Sequence, residues 1–387
     1  MSGMLLRLVC TAAVAAGTVL APVPATAAPQ PAGSGERSVA ELLTELQTLY
    51  REAEKATETY NATEERLRKQ RAESERLDRA LARTRLSLHG SRSAAGRLAR
   101  QQYQSVTGIS PYVRLLLARD PQGALDQSQV IGQLARQRAR TVGRLTGAEK
   151  EAGELARRAR KALDDRLALT ERRKRERDEV RERLRDVEEL LASLTAGELA
   201  ELAELERAEV AEAQEELVAS GALSSARTPS AAGDRAVRYA VEQLGKPYEW
   251  GAEGPETFDC SGLTSEAWDA AGTPIPRTSQ EQWARLKRVP LGQLRPGDLV
   301  VYFPEATHVA LYLGGGMVVQ APRPGARIKV SPIAANPVLG AVRPDPGGEP
   351  LRRYVPPELP EGATEGSDEG YAPSTAPTAP DRSRPRR

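Results

Sequence analysis

The chain has 387 residues, with 55 Lys and Arg against 53 Asp and Glu, a net charge of +2 at pH 7. So even a balance gives no reason to invoke nucleic acid. An aromatic content of 4% fits a chain in which much is alanine- and leucine-rich helix.

Near the start, Arg7 precedes an apolar stretch over residues 8–20, which is followed by Pro22, Pro24 and Ala25-Thr26-Ala27. The stretch is short for a membrane span and ends in proline and small residues, so residues 1–27 read as a secretory signal cut after Ala27. A retained N-terminal anchor is the weaker alternative. Cys10 lies inside that signal and leaves with it, so Cys260 becomes the one cysteine of an exported chain. A disulfide framework is thereby excluded, and the unpaired thiol is a candidate for reactivity.

From Val39 the apolar residues recur at alternating steps of three and four: Leu42, Leu46, Leu49, Ala53, Ala56, Tyr60, Thr63, Leu67, then Leu77, Leu81, Leu88, Ala95 and Leu98. Charged residues fill the remaining positions. That is a heptad seam, and at about 1.5 Å per residue it gives an arm about 90–100 Å long. Thr107-Gly108-Ile109-Ser110-Pro111 breaks it. A second arm follows through Leu145, Ala148, Ala152, Leu155, Ala159, Ala162 and Leu169. Its seam turns charged at Arg166, Arg173, Glu176 and Arg183 and recovers at Val187, Leu190 and Leu194. Residues 38–220 are therefore expected to form an α-helical antiparallel coiled-coil hairpin. The apolar residues 112–117 and Leu125 near its tip read either as a packed cap or as a docking surface.

Residues 221–233 are rich in small residues and read as a linker. From 234 to 344 the texture changes to short apolar runs at 299–303, 309–313, 317–319 and 328–330, preceded by helices near 234–244 and 260–271. Just over a hundred residues suffice for one compact core. Residues 345–387 are rich in Pro, Glu, Ser and Thr without periodicity and read as a disordered tail.

This compact region holds one cysteine, Cys260, and one histidine, His308; the other histidine, His89, flanks the seam of the first arm and reads as a solvated residue. Two such ligands do not assemble a zinc site, but they suffice for a nucleophile and its base. Cys260 opens a helical run, where the positive end of the helix dipole favours thiolate. His308 begins a strand after a turn. The plainer reading of Cys260, a small buried apolar residue, stands beside the catalytic one.

Five stretches carry a resemblance: Leu244-Gly245-Lys246-Pro247-Tyr248-Glu249-Trp250-Gly251, Phe258-Asp259-Cys260-Ser261-Gly262-Leu263, Pro276-Arg277-Thr278-Ser279-Gln280, Leu294-Arg295-Pro296-Gly297-Asp298-Leu299 and His308-Val309-Ala310-Leu311-Tyr312-Leu313-Gly314. In this order they resemble the successive motifs of the NlpC/P60 family. The helical arm is similar, less specifically, to those of actinobacterial coiled-coil cell-wall hydrolases of that family. The resemblance implies an α+β papain-like fold, permuted so that the cysteine helix precedes the sheet. It implies a secreted, wall-associated cysteine endopeptidase, without cofactor or metal, cutting peptidoglycan stem peptides between D-glutamate and diaminopimelate. By the same match Cys260 is the nucleophile, His308 the base and Gln320 the third polar residue; this last position is commonly histidine, sometimes glutamate, asparagine or glutamine, so a neutral amide keeps the triad but weakens its charge support. Tyr248 would line the site near the oxyanion donors, and Asp259 and Ser261 would contact the free amino end of the stem peptide. Simpler roles stand beside these: Tyr248 as a core aromatic, Asp259 as a helix cap, Gln320 as a partner of backbone groups at a strand end. Arg277 and Asp298 read as holding turns.

Other readings compete, among them a structural spacer, for which the coiled coil alone would suffice and against which the intact motif set argues. A wall-binding adaptor would need neither Cys260 nor His308, and both are present. A Cys–His amidase or acyltransferase acting on another cell-wall acyl donor would use the same pair. By analogy with related hydrolases, a membrane complex of the FtsEX type is the partner expected at the arm.

Overall fold

The computed structural model describes residues 37–105, 113, 121–223 and 227–365. The expected signal, the break at 107–111 and, apart from exposed Val113, the apolar segment 112–117 lie outside the described residues. No helix among the described residues is long and apolar enough to cross a membrane.

Two long helices, α1 (Val39–Ser105) and α2 (Pro121–Ser193), run antiparallel. Their pairing is read from Arg183–Glu52, Arg173–Glu64 and Gln70 Nε2 donating to the Ala162 carbonyl. The charged positions that interrupt the second seam are thus used for cross-helix pairs. Farther out, Leu77 and Leu81 pack on Ala159 and Ala162. Where two uninterrupted arms were expected, a third helix, α3 (Ala196–Ala219), follows a break after Ser193. Thr195 starts it with a capping box: its hydroxyl accepts from the Glu198 backbone N–H, and the Glu198 carboxylate accepts from the Thr195 N–H. Leu42, Leu43, Leu46 and Tyr50 of α1 meet Val187 and Leu190 of α2 and Leu202 of α3 in one apolar cluster.

Next come α4 (Ala231–Glu242), α5 (Cys260–Ala270) and α6 (Ser279–Arg285). Because Ser230 already caps α4 by accepting from the Gly233 N–H, the helix begins inside the stretch read as linker. The strands are β1 (Lys287–Val289), β2 (Leu299–Tyr302), β3 (His308–Gly314), β4 (Met317–Gln320), β5 (Lys329–Pro332) and β6 (Val338–Arg343). They form one antiparallel sheet in the order β1-β6-β2-β3-β4-β5. The period-two alternation sorts two cores onto its faces. Leu299, Val301, Val309, Leu311 and Val319 join Val237, Ala240, Leu263 and Trp268 of α4 and α5. Val300, Tyr302, Ala310, Tyr312 and Val318 join Ile333, with Leu217 of α3 against them. This is the expected α+β domain behind a helical arm.

The arm is fastened to the sheet. Gln214 of α3 donates to the Gly316 carbonyl and accepts from the Ala334 N–H. The segment after 345 also differs from expectation, since the described part of it is tied down. Leu351 N–H donates to the Pro229 carbonyl and Thr228 Oγ1 to the Leu351 carbonyl, Arg295 pairs with Asp345, and Val330 N–H reaches the Ala363 carbonyl. Its lack of periodicity reflects an extended, proline-rich backbone held by single bonds to the domain; residues 366–387 lie outside the described ones.

Candidate active site

Asp259 caps α5, its Oδ1 accepting from the Gly262 N–H at 2.6 Å, and so presents Cys260 as the first helical residue. Gly262 permits this, because a Cβ there would come within 2.2 Å of the Ala252 carbonyl oxygen. Across from it β3 begins at His308, and the Val309 backbone N–H bonds to the Cys260 sulfur. His308 Nε2 faces Gln320 Oε1 on β4 at 2.8 Å, and Gln320 Nε2 donates to Ser331 Oγ on β5 at 2.8 Å. Cys260, His308 and Gln320 are all buried, as is Tyr248, which packs in the same core cluster as Cys260.

Asp259 does more than cap. Its Oδ2 accepts from the Gly251 N–H at 3.0 Å and from Arg277 at 2.7 Å. Arg277 also donates to Ser261 Oγ at 2.8 Å and to Glu253 at 2.8 Å. Arg277 therefore belongs to the site rather than only to a turn, whereas Asp298 does hold one, accepting from the Arg295 N–H and pairing with Arg343.

Helix α1 lies in this cleft. Glu54, Glu58 and Asn61 share one stripe of the helix, and all three are buried. Ser261 Oγ donates to Glu58 Oε1 at 2.6 Å, the Ser279 N–H donates to Glu58 Oε2 at 3.1 Å, and the Cys260 sulfur stands 3.9 Å from Glu58 Oε1. Glu54 Oε1 stands 3.4 Å from His308 Nδ1. Asn61 Nδ2 donates to Asp259 Oδ2 at 3.0 Å. Around them Tyr60 meets Trp250 edge-on at 5.0 Å, and Arg323 lies over the Tyr50 ring at 4.9 Å. The described residues from Val39 onward form one compact unit, so this contact is part of the body of the protein.

The electrostatics follow from the closed cleft. Burial pushes the Cys260 thiol well above its usual value, and Glu58, Asp259 and Glu54 add to the rise; the bond from Val309 only partly offsets it. The thiolate-favouring environment expected at the start of α5 is thus overridden, because the helix dipole competes with lost solvation and three carboxylates. Burial lowers His308 to about 4, against the opposing hydrogen bond to Gln320. Burial also raises Glu58 to about 7, helped by Asp259 and opposed by Arg277, Ser261 and Ser279. With α1 in place the pair rests as neutral thiol and neutral imidazole.

The profile of the NlpC/P60 family matches residues 245–340. This stretch is an NlpC/P60 domain. A curated relative from Corynebacterium glutamicum, named a probable endopeptidase, is 45% identical over 103 residues, covering 27% of this chain and 49% of that protein. One from Mycobacterium tuberculosis with the same name is 37% identical over 116 residues, covering 29% and 30%. The chain thus spans about half the length of these relatives or less. Among solved structures, the NlpC/P60 domain of the peptidoglycan hydrolase SagA is 32% identical, covering 29% of this chain and 97% of that one, with a TM-score of 0.27. All the expected site residues fall within the NlpC/P60 domain. The sequence reading missed Ser279, whose backbone N–H needs no side-chain signature, and the three α1 residues, which look like any solvated helix face.

Proposed function

We propose that the chain is a wall-associated cysteine endopeptidase that cuts peptidoglycan stem peptides between D-glutamate and diaminopimelate, and that its own arm keeps it closed. One observation carries this reading: the carboxyl of Glu58 sits beside the thiol in a cradle made by Ser261 Oγ and the Ser279 N–H. A glutamate linked through its γ-carboxyl keeps a free α-carboxylate close to the scissile bond, and such a cradle suits it. The cradle and the charged side chains beside it favour a polar peptide over an apolar acyl donor.

The chemistry needs only groups already in place once α1 withdraws. Withdrawing α1 takes the Glu54 and Glu58 carboxyls away from the thiol and readmits water, which lowers the Cys260 pKa and raises that of His308. His308 Nδ1 then takes the thiol proton, the thiolate attacks the amide carbon, and the imidazolium gives its proton to the leaving amine. Water, deprotonated by the same imidazole, releases the acid and restores the thiol. Gln320 accepts from Nε2 throughout and holds the ring.

Export follows from the signal read at residues 1–27. By analogy with related coiled-coil hydrolases, we assign withdrawal of α1 to a membrane complex of the FtsEX type acting on the arm near residues 112–117. Leu116→Asp tests that assignment through loss of membrane recruitment.

The experiment that tests the activity compares the full chain with a Glu58→Arg chain on purified muropeptides, with mass spectrometry naming the bond cut. The charge-reversed chain should release fragments ending in D-glutamate. Cleavage at another bond, or none, would overturn the assigned specificity.

A further inference from the structure

Gln320 raises a problem that a charged third residue would not. A carboxylate offers the imidazole two equivalent acceptor oxygens. A glutamine offers an oxygen on one side and an NH2 on the other, and the two orientations select opposite tautomers of His308. With Oε1 toward the ring, Nε2 carries the proton and Nδ1 keeps its lone pair. With Nε2 of the amide toward the ring, the imidazole must accept there, and its proton moves to Nδ1. That form has no base to offer the thiol.

The amide is held on its far side by β5. Ser331 is fully buried, and its Oγ accepts from Gln320 Nε2 at 2.8 Å. The β4–β5 register, Val318 opposite Ser331 and Gln320 opposite Lys329, puts both side chains on one face of the sheet, diagonal to each other. His308, Gln320 and Ser331 thus form a line across three neighbouring strands.

We propose that Ser331 is a positioning residue: by taking the Gln320 NH2 it keeps the amide oxygen on His308 Nε2 and so keeps His308 in the tautomer that can act as a base. This rests on the Cys–His reading above, but the tautomer can be read without any turnover. The chain has two histidines, and His89 is exposed, so a spectrum of chain labelled with 15N-histidine contains two rings that are easily told apart.

The test uses the full chain. In the closed protein, Ser331→Ala should move the His308 ring nitrogens away from a pure Nε2–H pattern, and Ser331→Thr, which keeps a hydroxyl, should restore it. In the chain opened by Glu58→Arg, Ser331→Ala should lower kcat about 3- to 30-fold with KM little changed, because orientation is lost while nucleophile and cradle stay. Unchanged ring nitrogens in Ser331→Ala overturn the proposal whether or not kcat falls, since Ser331 would then only pack. A moved tautomer with unaltered kcat overturns it as well. If the Glu58→Arg chain is itself inactive, the catalytic reading fails, and the ring spectrum still decides the role of Ser331.

Discussion

Helix α1 has two stretches of similar composition and opposite surroundings. Around Leu77–Leu81 it is an ordinary arm: leucines face α2, and charged residues such as Glu73 and Arg76 face water. Around Glu54 to Asn61 the same mixture of alanine and charge is closed in on two sides, by α2 and by the NlpC/P60 domain. Exposed ion pairs of the first kind contribute little. Buried polar groups of the second kind are costly unless each finds a partner, so their pairing specifies one docking geometry. A charged stripe on a helix is therefore not evidence of exposure; only its partners tell.

The most severe way to break this contrast is to ask whether the proximal stretch covers a working nucleophile. In a Glu58→Arg chain, Cys260→Ala should abolish stem-peptide hydrolysis altogether, as measured by release of muropeptide fragments, while circular dichroism stays unchanged. Hydrolysis that persists would mean that α1 covers nothing catalytic. Next in size, Gln320→Ala in the same opened chain should lower kcat about 10- to 1000-fold, less than loss of the thiol, because the ring loses its orientation but not its proton chemistry. Gln320→Glu should retain activity, and its negative charge should raise the His308 pKa and extend the active window on the alkaline side.

The contrast itself is tested by matched charge reversals. Glu58→Arg sets a second guanidinium beside Arg277 and leaves the Ser279 N–H without its acceptor. A lost buried polar contact costs about 1–3 kcal/mol, equivalent to about 5- to 150-fold in the docking equilibrium, and hydrolysis should rise by a comparable factor. Glu75→Arg, in the distal stretch and exposed, should leave the rate within about twofold, as surface substitutions usually do. Equal effects of the two reversals would make α1 a uniform spacer.

Much of this is legible in the sequence alone. The seam from Val39 to Leu98 marks α1, because a 3.5-residue period survives any tertiary context. Cys260 at a helix start and His308 at a strand start follow from local patterns, and the four apolar runs are β2 to β5. The shorter elements were lost for physical reasons. Lys287–Val289 is too short to show alternation, and Gly340 interrupts Val338–Arg343 where Trp283 leaves no room for a side chain. The break before α3 is written in Thr195-x-x-Glu198, a signal hidden by heptads that continue past it. The docking of α1 was not legible at all, since Glu54, Glu58 and Asn61 keep the spacing of a solvated face.

The subtlest consequence of the contrast concerns pH. Withdrawing α1 returns Glu58 to water and moves His308 back up toward the ordinary imidazole range. His308, depressed to about 4 when docked, supports docking fully above pH 6.5, and that support is lost as pH falls toward 4. Glu58, raised to about 7 when docked, supports docking fully below pH 4.5, and that support is lost as pH rises through 7. Between pH 7 and 5.5 the first effect weakens docking and the second strengthens it, so the intact chain should change less than either group alone would make it. Glu58→Gln keeps an amide oxygen as acceptor for the Ser279 N–H and turns its NH2 to Ser261 Oγ, as a protonated carboxyl would its O–H, but it cannot take up the compensating proton. Its docking should therefore weaken as pH falls over the same window, read as a longer distance between spin labels on α1 and α6 in a Cys260→Ala background. A Glu58→Gln chain as insensitive to pH as the unaltered one would show that Glu58 binds no proton on docking, and would leave the carboxylate charged beside the thiol.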